Sequence, residues 1–463
     1  MATKSDLRRS SSGHSAFLFE LPIGLACVLF YSHLAFAISG RAGLGSEFAV
    51  PNILVAGLSL FGLLIGARAP FGLRHVFCLF TLILIAIVPL IEVQKNTLYH
   101  ARYLDFAAYY PAATWLSLSG MVAFALAYSF VVSRKRVLRV SKERHQSSGS
   151  KLVLLILSST AAVAILAYNN FNYMSVLFRG GELTTRQELS GPGWLIFQYF
   201  VYPTPAICAV IHFLSRSRKS FVTLILVLNV LLFNPPTGMA RFQAAALYIA
   251  LFAAAFPLIR TQRHVLSGTI TFGLLFVFPL LDRFRRYSGG AMDAGWNSDF
   301  LTQGHFDGFQ NFATVLAYQM QSGGRQLLGA LLFFVPREIW EDKPVGSGAM
   351  LATELGFPNS NIAMNLFAEG YLNFGIGGVI GFLAILGLVC AYLDREFRVV
   401  EQRARGAMSC FYLFSFGLVF FVLRGDLLNG LAFCFGTLSA TFLVFYSCRL
   451  VANARPRRAS IGR

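Results

Sequence analysis

Asn361, Asn365, Glu369 and Asn373 recur every four residues. On a helix that spacing places all four along one slowly drifting face. A carboxylate flanked by amides has the arrangement that orients and deprotonates a hydroxyl, which is the work of a general base. The same stripe would equally serve hydrogen bonding between packed helices, a common use of amides in membrane bundles. A second set of residues is cationic. Arg283, Arg285, Arg286, Arg325, Arg337 and Lys343 share the stretch 282–361, Arg179 and Arg186 precede it, and Arg241 follows a Gly/Pro-containing turn. Arg offers a rigid donor fork suited to phosphate, and Lys a point charge. Together they suit a pyrophosphate or another anion. Singly, each is explained as well by snorkelling to lipid headgroups or by pairing with Asp282, Glu338 or Asp342. His305 is the single histidine of that stretch, a group able to exchange protons near neutral pH, although a lone histidine is more often an ordinary surface residue.

Other chemistries are disfavoured. There is no GxxxxGK[ST] loop for nucleotide phosphates and no HExxH or Cys/His cluster for zinc. The loop 39–47 carries one acid, against the paired acids of metal-dependent lipid-sugar transferases, and Glu341-Asp342 has no evident third ligand. No metal and no cofactor is therefore expected.

The elements that must position these groups follow from composition. The chain has 463 residues, 56% hydrophobic and only 13% charged, about half the usual charge supply of a soluble domain. A bilayer core of about 30 Å needs roughly 20 apolar residues per helix. Twelve runs qualify as candidates, at 17–38, 48–67, 76–91, 110–132, 152–168, 194–214, 221–233, 242–257, 265–281, 362–393, 407–423 and 431–448. The run 221–233 is short, and 362–393 is too long for one straight span, which predicts an extramembrane or re-entrant first part. All seven Cys fall in or beside these runs without a CxxC, as expected of small apolar packing residues. Ala35-Phe36-Ala37 resembles a signal-peptidase site, but the polar lead and the long apolar run favour an uncleaved anchor.

The net charge of +18 sorts by side. With the N-terminus inside and twelve crossings, 26 of the 39 basic residues lie in inside segments. This is the positive-inside pattern, and it places both termini in the cytoplasm. The basicity is thus a topology signal, with no nucleic-acid partner implied. The chain divides into nine spans over 1–281, a large outer loop over 282–361, three spans over 362–448 and a basic tail over 449–463. The loop is too long for a connector. Its Trp296, Trp340, many Phe and the apolar run 327–335 predict helices lying on or dipping into the outer leaflet.

Two stretches carry a resemblance. The run Pro336-Arg-Glu-Ile-Trp-Glu-Asp-Lys-Pro344 and the later Glu369-Gly-Tyr-Leu-Asn-Phe-Gly375 resemble the Wzy-type O-antigen polymerases, also called oligosaccharide repeat-unit polymerases. Gly238-x-x-Arg241 before a span and the spacing of Arg337 to Gly348 are similar to vaguer features of that family. The resemblance covers the chain loosely and residues 330–380 more specifically.

It implies an all-α polytopic integral membrane protein of about 12 transmembrane helices, similar to the metal-independent GT-C glycosyltransferases, with a large periplasmic loop, in the bacterial inner membrane. The implied reaction joins oligosaccharide repeat units carried on undecaprenyl pyrophosphate and releases the lipid pyrophosphate. The implied partners are that lipid-linked oligosaccharide, the bilayer and a chain-length-regulating co-polymerase. That chemistry needs cations for a departing pyrophosphate and a base for the acceptor hydroxyl. Glu369 and Arg337 are expected as catalytic, and Arg179, Arg241, Arg285, Arg286 and Lys343 at the pyrophosphate. Asn361, Asn365, Asn373, Tyr371, His305 and Trp340 are expected on the sugar side. An O-antigen ligase, with the same donor but a lipid acceptor, is the near alternative. A polysaccharide flippase is the alternative of another class.

Overall fold

The computed structural model describes residues 4–65, 71–96, 98, 106–133, 148–178, 184, 186–187, 191–215, 220–262, 264–283, 298–302, 304, 306–357, 360, 362–401 and 407–454. Among these, every regular element is a helix. In lipid the backbone must satisfy its own N–H and C=O groups, and a helix does so within one segment. Among the described residues nine helices are long and apolar enough to cross a bilayer. They are Glu20–Arg41, Gly45–Leu64, Leu73–Lys95, Ala108–Val132, Ser150–Tyr168, Gly193–Leu214, Leu366–Phe397, Ala407–Arg424 and Leu427–Ala452. Three further apolar helices, Phe221–Phe233, Arg241–Ala255 and Val265–Leu281, are shorter. A helix thus covers most of each of the twelve apolar runs, and nine of these helices reach spanning length.

Burial follows a membrane solvent. Leu25, Leu29 and Phe30 are exposed on the first spanning helix, as are Leu126 and Phe130 on Phe106–Val132. Large apolar side chains facing outward along a helix are stable when hydrocarbon, not water, surrounds them. The helix Leu73–Lys95 is instead enclosed along most of its length. It packs against Gly45–Ile65 and Ala407–Arg424 and contains a π-helical stretch at Thr81–Ile87.

Asp394 ties one end of the bundle. Its carboxylate accepts the Leu73 N–H at 2.8 Å, the Tyr128 hydroxyl at 2.7 Å and the Tyr412 hydroxyl at 2.6 Å. These partners lie on three helices, so one buried acid fixes four. It also places an anion at the first turn of Leu73–Phe80, where the helix dipole favours it.

Gln310 meets Glu92, Asp307 and Phe242 meet Arg424, and Asn365 meets Gly308 at the opposite end, here called the loop face. The long loop folds there as the 3-10 helix Ser298–Thr302 and the helices Gly308–Ala317, Arg325–Leu331 and Ser347–Glu354. Gly308–Ala317 is buried against Phe106–Val132, so this part of the loop belongs to the bundle. Arg325–Leu331 exposes Leu328 and Leu331, and Phe334 and Ile339 beyond it are also exposed.

Candidate functional site

The helix Leu366–Glu401 is broken. Phe374 and Gly375 leave helical geometry, Gly375 at φ +61°. That left-handed conformation suits a residue without Cβ. Across the break Gly378 packs directly on the Gly370 carbonyl, so close that a side chain there would overlap it. Two glycines eight residues apart cannot touch along a straight helix, so 366–373 turns back on the rest as a short arm.

The amides expected on the sugar side hold this arm in place. Asn365 sits just before the first helical residue, where its Oδ1 accepts the Ala368 N–H at 2.8 Å, an N-cap bond. Its Nδ2 donates to the Gly308 carbonyl at 2.8 Å. Asn373 Nδ2 donates to the Glu369 carbonyl at 2.9 Å, and its Oδ1 accepts the Leu327 N–H at 2.8 Å. Both side chains are buried, and both join the arm to loop helices. Tyr371 is half-buried, with its ring near Phe312.

Glu369 lies between two helix N-termini. Its Oε1 accepts the Leu427 N–H at 2.8 Å, and its Oε2 accepts the Ser347 hydroxyl at 2.9 Å. Leu427 opens Leu427–Ala454 and Ser347 opens Ser347–Glu354. The side chain is fully buried. Beside it stands Asp426, partly accessible, with Oδ1 accepting the Asn429 N–H at 2.8 Å and Oδ2 the Asn429 amide at 2.9 Å. Burial pushes the Asp426 carboxyl above the usual carboxylate value, against the pull of the Asn429 bonds and of Arg424.

Arg424 extends this row. Its Nη2 lies 3.6 Å from Asp307 Oδ1 and donates to the Gly304 carbonyl at 3.1 Å. Its guanidinium stands 4.3 Å over the Phe242 ring, a cation–π contact. Deeper still, Glu92 Oε2 accepts the Tyr110 hydroxyl at 2.7 Å. The loop face is thus underlain by a buried layer of acids and one arginine. A cavity of about 10 Å³ between Phe306, Asn365 and Arg424 has room for about one water.

The cations of the Pro-Arg-Glu-Ile-Trp segment come together. Lys343 Nζ donates to the carbonyls of Phe333 and Val335, the latter at 2.8 Å. Arg337 Nη1 donates to the Lys343 carbonyl and Arg325 Nη2 to the Asp342 carbonyl, each at 2.8 Å. Burial and the neighbouring Arg337 hold the Lys343 ammonium below the usual lysine value. An anion at this spot would relieve that repulsion. Trp340 is half-buried inside the same turn, its N–H bonded to the Pro336 carbonyl at 3.1 Å. Gly346, three residues after Lys343, packs against the Asp426 carboxylate, and Ser347 bonds Glu369. One short segment therefore links the cations to both acids.

Arg241 is buried as the first residue of Arg241–Ala255. Arg179, Arg285, Arg286, Asn361 and His305 lie outside the described residues. Arg424, Asp426 and Glu92 were missed by the sequence reasoning. Arg424-Gly-Asp426 carried a signal, two opposite charges in the tight connection between apolar runs. Among the described residues no group of three or more His, Cys, Asp or Glu is placed to hold a metal ion. No protein-family model, no curated protein and no solved structure matches this chain.

Proposed function

We propose that this protein is a polymerase of oligosaccharide repeat units carried on undecaprenyl pyrophosphate, working on the outer face of a bacterial inner membrane. The proposal takes all twelve apolar helices as spans, a GT-C-like arrangement, both termini in the cytoplasm and a chain-length-regulating co-polymerase as partner. The observation that carries it is the 336–347 segment, which joins Arg337 and Lys343 to the Glu369–Asp426 pair within one turn-rich stretch. A glycosyl transfer from a lipid pyrophosphate needs those two sets side by side.

In this reaction the acceptor hydroxyl attacks the anomeric carbon, and the bond from that carbon to the pyrophosphate oxygen breaks. The proton passes to a carboxylate of the pair. Asp426 has the accessible edge and Glu369 stands closed behind it. A carboxyl raised by burial is a stronger base than a free one. The departing pyrophosphate is stabilised by Arg337 and Lys343, with Arg241, Arg179, Arg285 and Arg286 assigned to the same anion.

Deletion of the gene tests the reading through surface polysaccharide. A single repeat unit on its carrier or on the lipid acceptor is expected. Long chains in the deletion strain would refute the polymerase. Long chains left unattached to the lipid acceptor would point to the ligase, and the absence of any units outside to a flippase. Asp426→Asn on a complementing copy is expected to leave single units, and full-length chains would remove Asp426 from the reaction.

A further inference from the structure

A second cavity, of about 210 Å³, opens on the loop face beside the first turn of Arg241–Ala255. Phe242 of that turn faces Arg424, while its neighbour Gln243 lines this cavity. The turn before the helix is pressed against Tyr173–Leu177, because Gly238 packs directly on the Val176 carbonyl and any side chain there would overlap it. That contact forms one wall. Aromatic rings form another, with Tyr168 and Phe197 4.1 Å apart between centroids and Trp194 6.2 Å from Tyr168.

Two residues that line this cavity each carry a buried amide atom without a hydrogen-bond partner. Asn169, 3% exposed, donates through Nδ2 to the Ile165 carbonyl at 2.8 Å, which leaves Oδ1 as an unused acceptor. Gln243, 4% exposed, accepts through Oε1 from Gln198 Nε2 at 3.1 Å, which leaves its own Nε2 as an unused donor. Buried polar atoms without partners are costly, and a ligand that satisfies them recovers that cost. One acceptor and one donor among the lining residues match hydroxyl groups, which both donate and accept. A face of aromatic rings matches the C–H face of a saturated ring. Arg186, held by its Nη2 on the Ser175 and Phe178 carbonyls, adds a cation at the edge.

We propose that this cavity is a binding site for one pyranose ring, with Asn169 and Gln243 bonding its hydroxyls and Tyr168, Trp194 and Phe197 stacking on its C–H face. The volume falls below the roughly 300–1,000 Å³ of pockets that enclose drug-sized ligands, so a single ring is enclosed and the rest of a longer saccharide lies outside. The identity of the natural saccharide rests on the polymerase reading, whereas ring binding does not.

The test is therefore made without turnover. Full-length protein in nanodiscs of phosphatidylethanolamine and phosphatidylglycerol is examined by saturation-transfer difference NMR. The probes are methyl pyranosides of glucose, galactose, N-acetylglucosamine, N-acetylgalactosamine, rhamnose and glucuronic acid, with glycerol phosphate as a headgroup probe. At least one pyranoside is expected to receive saturation, and the signal is expected to fall at least fivefold in Asn169→Leu and in Trp194→Ala. Trp194 is partly exposed at the rim, so its variant gives the answer if Asn169→Leu fails to fold. Saturation of no pyranoside, transfer to glycerol phosphate alone, or undiminished signals in a folded variant would overturn the site. Loss of pyranoside binding with polymer still made would sink this site and leave the polymerase standing. Binding with no polymerase phenotype would do the reverse.

Discussion

Replacing Glu369 by alanine removes the group that joins three parts of the loop face. The carboxylate accepts from Leu427 N–H and Ser347 hydroxyl, both at the first residue of a helix. A buried donor left without an acceptor costs about 1–3 kcal/mol, and the alanine leaves two. The expected loss is about 3–5 kcal/mol. For a chain of this size that corresponds to a fall in melting temperature on the order of 5–10 °C. Glu369→Gln retains an acceptor for Leu427 and a polar partner for Ser347, so a loss of only about 1 kcal/mol is expected. The assay is thermal unfolding of purified protein in nanodiscs, followed by tryptophan fluorescence, alongside polymer length in complemented cells. If Glu369→Ala melts with wild type, the carboxylate does not act as a clasp, and the argument from its two bonds is refuted.

Three further outcomes follow from the same geometry. Asp394→Ala removes an acceptor shared by Leu73, Tyr128 and Tyr412, and a loss of about 3 kcal/mol or more is expected; a melting temperature within 1 °C of wild type, on a scale of roughly 2 °C per kcal/mol, would contradict the clamp. Asp426 has its folded-state carboxyl raised by burial, so the folded chain holds that proton more tightly than the unfolded one. Its contribution to stability is therefore greatest below about pH 4, the ordinary carboxylate value, and declines as pH rises above it. Melting curves across that range should show a decline in wild type that Asp426→Asn reduces, and parallel curves would refute it. Arg424→Gln alone strands the buried Asp307 carboxylate at a cost of about 3–5 kcal/mol. Adding Asp307→Asn should restore part of that loss, and strictly additive losses in the double variant would show that the two charges do not interact.

The apolar runs were legible because lipid-facing helices need hydrophobic residues along their length, so composition alone located them. A break in 362–393 was legible from its excess length, and its position at Phe374 and Gly375 was not. Of the polar stripe, the spacing showed the shared face and not the hydrogen bonds that each amide makes. Asn365 stands one residue before the helix and caps it, and an Asn directly before an apolar helical run is a capping signal in its own right. The cations of 325–343 were recognised, and their meeting in one turn was not visible, since four of their bonds go to backbone carbonyls that no residue type announces. Least legible was the acidic layer. Gln310 reaches Glu92 across 218 positions of sequence at 3.4 Å, and Arg424 meets Asp307 from the far side of the loop. Only the packing of Gly308–Ala317 into the bundle creates those neighbours.

The helix Ser220–Phe233 has 14 residues and rises about 21 Å, roughly two-thirds of a hydrocarbon core about 30 Å thick. A bilayer meets such a mismatch by thinning locally around the short element. This helix ends at Asn234, whose Nδ2 donates to the Tyr202 carbonyl at 2.7 Å, and Tyr202 lines the larger cavity. With this helix taken as a span, as in the proposed function, the thinned annulus would lower the water boundary at that flank toward the cavity. On the same reading, a saccharide tethered to a long isoprenoid would reach the aromatic wall with less of its tail drawn out of the hydrocarbon than at a flank of full thickness.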